Sequence, residues 1–82
     1  MERTVGNLKL EIAAQDSKYT TICVTGLTVA EMNYVLENGK EPLSKVMEQN
    51  GASDVYERWE NEFGIYSIRH VGGHLFVMIG RL

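Results

Sequence analysis

The sequence predicts an α+β fold: a four-stranded antiparallel sheet made of two hairpins, with two or three short helices packed on one of its faces. Three observations lead there. Apolar residues alternate at period two near both ends of the chain, they recur at helical spacing through the middle, and Gly72-Gly73 divides the C-terminal β-like stretch into Ile65–Val71 and His74–Arg81. With 82 residues, one core is all the chain has surface to build, so residues 1–82 are expected to form a single domain.

The first strand is read at residues 7–14, where Leu8, Leu10 and Ile12 point one way. The second is read at residues 19–25, rich in β-branched side chains. Gln15-Asp16-Ser17 supplies turn chemistry between them. Keeping the apolar sets on one face requires an odd loop and pairs Leu10 with Ile22, Leu8 with Val24 and Ile12 with Thr20. Thr28-Val29-Ala30-Glu31 is a capping box that opens a helix with Val29, Met32, Val35 and Leu36 as its apolar stripe. Gly39 is the expected left-handed stop. Pro42 suits the first turn of a second helix, striped by Leu43, Val46 and Met47 and ended by Gly51. Over residues 53–63, Val55, Trp59 and Phe63 recur four apart, which favours helix over strand, with Ser53 as its N-cap. In the C-terminal hairpin Tyr66 is expected opposite Ile79, Ile68 opposite Val77 and His70 opposite Leu75, all on the helix-facing side. The core expected from these elements is Leu8, Leu10, Ile12, Ile22, Val24, Val29, Met32, Leu36, Val46, Trp59, Ile68, Val77 and Ile79.

Apolar residues at 44% and charged residues at 23% match an ordinary globular composition and argue against a disordered tail. The longest apolar run, residues 75–79, is too short to span a bilayer, and no hydrophobic leader follows Met1, so a cytoplasmic protein without a membrane segment is expected. One cysteine, Cys23, leaves no partner for an internal disulfide and none for a cysteine-based zinc site. The net charge of −3 argues against direct nucleic-acid binding. Its distribution says more: residues 28–64 hold eight acids and three bases, a balance of −5, while the flanks balance at +2.

Catalytic constellations are sparse. His70 and His74 are spaced like a metal pair on a helix, but the Gly-Gly turn between them puts them on opposite sheet faces. His70 is therefore read as a partly buried core residue and His74 as a solvated turn residue. Cys23 falls roughly opposite Lys9, with no base or oxyanion donors to make it a nucleophile. The glycines spell no phosphate-binding loop. No catalytic residue, metal ligand or cofactor is assigned.

What remains are two surfaces. Glu31, Glu37, Glu48, Asp54, Glu57, Glu60 and Glu62 form an acidic helical face suited to a protein with a basic surface. The expected function is a small non-enzymatic binding module, an inhibitor or regulator. In size and charge alone it is similar to the acidic inhibitors that phages direct at host defence or host enzymes. The second surface is the outer side of the sheet, where Ile65, Arg69, Phe76 and Met78, with Tyr19 and Cys23, are too apolar to stay wet. It suggests a homodimeric assembly subunit as the alternative, with Phe76 near a two-fold axis. A small-ligand-binding or minor enzymatic domain is the third reading.

Overall fold

The computed structural model describes residues 2–38 and 40–81. Among them the chain forms β1 (Glu2–Val5), β2 (Leu8–Gln15), β3 (Tyr19–Thr25), α1 (Val29–Asn38), α2 (Lys40–Gln49), α3 (Ser53–Arg58), a π-helical turn (Trp59–Phe63), β4 (Ile65–Val71) and β5 (His74–Gly80). The strands make one antiparallel sheet in the order β1-β2-β3-β5-β4. The class is the expected α+β, but the sheet has five strands rather than four. Residues 2–5 hold a single apolar side chain, Val5, and so carry no alternation signal. They become a strand because Gly6, at φ +59°, folds them back onto β2 with Val5 opposite Leu8.

Helices and sheet share one core. Leu8, Leu10, Ile22, Val24, Leu75, Val77 and Ile79 point from the strands into Met32, Val35, Leu43, Val46, Met47, Ala52, Val55 and Trp59. Two residues expected inside are not: Val29 is 79% exposed and Leu36 42%. Helix α1 packs mainly against α2 and meets the sheet at β4, and its buried stripe narrows to Met32 and Val35. Val29 lies at the open first turn, and Leu36 is rotated about 100° past Val35. The capping box is formed, with the Thr28 amide donating to Glu31 Oε1 (2.8 Å) and the Glu31 amide to Thr28 Oγ1 (3.1 Å). The stop expected at Gly39 lies outside the described residues. Helix α2 ends as expected at Gly51 (φ +78°), where the Gly51 amide bonds the Glu48 carbonyl and the Ala52 amide bonds that of Met47. Ser53 is not the N-cap of α3. Ala52 holds that position, fully buried, and its methyl side chain can accept no capping hydrogen bond.

Register departs from expectation at two bulges. In β2–β3, Leu10 pairs with Val24 and Ile12 with Ile22, and a bulge at Ala13 then puts Ala14 opposite Thr21. The faces are those expected, but the pairs are shifted by two residues. In β4–β5, Ile68 pairs with Val77 and His70 with Leu75 as expected, but a bulge puts Ile65 rather than Tyr66 opposite Ile79. Ile65 thus packs on the core and leaves the outer face to which it was assigned. Tyr66, 61% exposed, meets the Tyr19 ring edge-on at 5.1 Å. An isoleucine satisfies the interior without a polar group, whereas the tyrosine hydroxyl would need a buried partner. His70 is exposed, not partly buried, because β4 is the edge strand and the helices leave its far end uncovered.

The β2–β3 loop is residues 16–18. Asp16 Oδ1 accepts from the amides of Lys18 (2.7 Å) and Tyr19 (2.8 Å), and Arg81 Nη1 donates to the Asp16 carbonyl (2.7 Å). The two amides hold the Asp16 carboxyl below its ordinary 3.8. A lowered folded value means stability present above about pH 4, lost as pH falls through the folded pKa. Asp16→Ala is therefore expected to lower the thermal midpoint at neutral pH, with the gap to wild type closing below about pH 4. A gap that stays constant down to about pH 2 would show that the carboxylate form is not what orders the turn.

Candidate functional site

The α3 segment and the π-helical turn carry Val55, Trp59 and Phe63 along one side, as their four-residue spacing implies. This side packs over the inner face of the sheet, with Val55 and Trp59 buried in the core. A groove of about 330 Å³ remains, floored by Leu10, Ile12 and Ile22 and walled by Val55, Trp59 and Phe63, with Arg3, Asp54 and Arg58 at its margin. The volume is at the low end for small-molecule pockets and suits one or two large side chains. The π-helical turn Trp59–Phe63 supplies two of its walls. Such turns occur frequently at functional sites. The Arg3 guanidinium reaches Asp54 at 3.9 Å across the mouth, while Arg58 bonds Glu62 Oε2 at 2.8 Å and lies 5.7 Å from the centre of the Phe63 ring.

The groove was not anticipated as a site. Its apolar residues read as core, and the signal that would have flagged it, Arg3 on a strand beside α3, depends on the unexpected β1. The acidic residues of the helices are placed in several ways. Glu37, Glu48, Asp54, Glu57, Glu60 and Glu62 are exposed. Asp54 stands at the groove, and Glu57, Glu60 and Glu62 follow it along the same segment. Glu31 belongs to the α1 cap, so its carboxylate has structural work there.

On the outer face Cys23 lies opposite Glu11, not Lys9. It is 6% exposed. Burial pushes its thiol up from the ordinary value and the Glu11 carboxylate adds to this, Lys9 acting in the opposite sense. The nearest ring nitrogen, His74 Nδ1, is 3.9 Å from Sγ. That environment favours the thiol over the nucleophilic thiolate. Among the described residues no three His, Cys, Asp or Glu side chains are grouped to hold a metal, and no helix is long and apolar enough to cross a membrane.

Compared with protein-family models, curated proteins and solved structures, the chain matches none.

Proposed function

We propose that the chain is a small non-enzymatic binding module, an inhibitor or regulator working in the cytoplasm, that takes a basic segment of another protein against its acidic helical layer. The observation that carries this reading is an apolar groove with Asp54 at its margin beside Arg3 and Arg58, on a segment that continues with the exposed Glu57, Glu60 and Glu62. A groove alone holds an apolar side chain of any partner. Exposed carboxylates beside it select partners whose apolar anchor is flanked by Lys or Arg, repel nucleic-acid phosphates, and speed encounter through long-range attraction. An anchor in a desolvated pocket with charges around its rim is how small interfaces concentrate their affinity.

The chain holds one tryptophan, Trp59, and it lines the groove, so its emission reports occupancy directly. Titration with a tryptophan-free amphipathic peptide of leucine and lysine is expected to shift that emission, whereas the same peptide with aspartate for lysine leaves it unchanged. Glu48→Lys combined with Glu57→Lys is expected to weaken the lysine peptide most at low salt, where the screening length reaches about 30 Å at 0.01 M, and least near 1 M. Equal responses to the two peptides, or equal affinities for variant and wild type across the salt series, would remove the acidic layer from the function.

A further inference from the structure

The helices contribute their apolar sides to the core on the inner face of the sheet, and the outer face, which they do not cover, has an apolar centre inside a polar margin. Its centre is Cys23, Thr21, Phe76 and Met78, buried or half-buried even in the single chain. Antiparallel sheets with one wet face show polar residues there. The charges of its middle row are ordered as well, with Lys9 two residues along β2 from Glu11 on the same face. Register places Glu11 on β2, Cys23 on β3, Phe76 on β5 and Arg69 on β4 side by side in one row. The row runs from an acid through a thiol and an aromatic ring to a guanidinium, and β3, the middle strand of five, lies at the centre of the sheet.

We infer that the outer face is a homodimer interface whose two-fold axis runs parallel to β3. That rotation lays β3 on β3 and carries β4 over the β1–β2 side of the second copy. Arg69 then stands one strand spacing, about 4.8 Å, to the side of Glu11 on the other chain across sheets about 10 Å apart, a span of about 11 Å that the extended arginine and glutamate side chains bridge together. The pair forms twice, as a two-fold interface requires. Phe76 and Met78 fill the layer between sheets about 10 Å apart. The axis therefore passes at Cys23, one strand from Phe76, where the residue pattern alone placed it. A two-fold lying across the strands would instead put Arg69 against Arg69, so the charges select the orientation as well as the occupant. The footprint is adequate. Five strands of this length present about 550 Å² in projection, and side-chain relief brings that into the roughly 600–1,000 Å² per partner of stable interfaces.

Sedimentation velocity on wild type, Arg69→Glu, Glu11→Arg and the double reversal decides the matter without any partner for the acidic layer, so its outcome is separate from the function proposed above. Wild type is expected at twice the chain mass. Each single reversal, judged folded by its thermal melt, should weaken the dimer about tenfold or more, and the double reversal should restore it to within about threefold. A wild-type chain that stays monomeric at millimolar concentration overturns the inference and leaves the face to solvent or to a different protein. Failure of the double reversal to restore a dimer that both single reversals weaken would overturn the two-fold along β3.

Discussion

Trp59→Ala is expected to destabilise the fold by about 3–5 kcal/mol, a large share of the roughly 4–12 kcal/mol a chain of this length holds in total. Trp59 is 6% exposed and stands between Val55 and Phe63 where α3 passes into the π-helical turn. It joins the strand side chains to the helical ones in a single cluster. Removing the indole takes the largest side chain out of that cluster and enlarges a groove already beside it, and the short α3 has few other contacts through which to recover. Urea unfolding followed by circular dichroism would measure the change. A loss below about 1 kcal/mol would mean that the segment is held by something other than this ring.

Gly26→Ala is the second large effect, expected at about 3 kcal/mol or more. Two causes act together at this position. Gly26 has φ +94°, a conformation that L side chains rarely adopt, and a Cβ built there would stand 1.9 Å from the carbonyl oxygen of Asn7. Relief would require moving the backbone of the β1–β2 turn, whose Asn7 amide is bonded to Asn50 Oδ1 (3.2 Å) at the end of α2. Gly72 provides the control. Its φ of +58° is similarly left-handed, but a Cβ there meets nothing within 4 Å, so Gly72→Ala should carry only the conformational penalty, about 1–2 kcal/mol. Equal urea midpoints for the two variants would show that the close approach at Gly26 relaxes freely.

Local chemistry accounts for the elements that could be read directly. The Thr28–Glu31 box starts α1 because two side chains satisfy two amides within one turn. Gly72-Gly73 makes a two-residue hairpin because both positions need positive φ, here +58° and +80°. Trp59 follows Val55 inward because residues four apart share a helix side. Each of these outcomes depends on neighbours within a few positions, so the linear order of residues contains the cause.

The features that escaped depend on partners distant in sequence. Residues 2–5 become a strand only because β2 offers its edge, and without β1 there is no Arg3 at the groove. Tyr66 and Ile65 exchange faces through a bulge whose placement is decided by which side chain the core can take opposite Ile79. Glu11 rather than Lys9 stands beside Cys23 because β2 and β3 slide by two residues, a shift that leaves the apolar faces intact and so leaves no trace in the pattern. Alternation determines which face a strand residue occupies, since moving a strand by one residue turns every side chain over. It does not distinguish registers two residues apart. That choice, and with it the groove and the ordered charges of the outer face, belongs to the packing of the whole sheet.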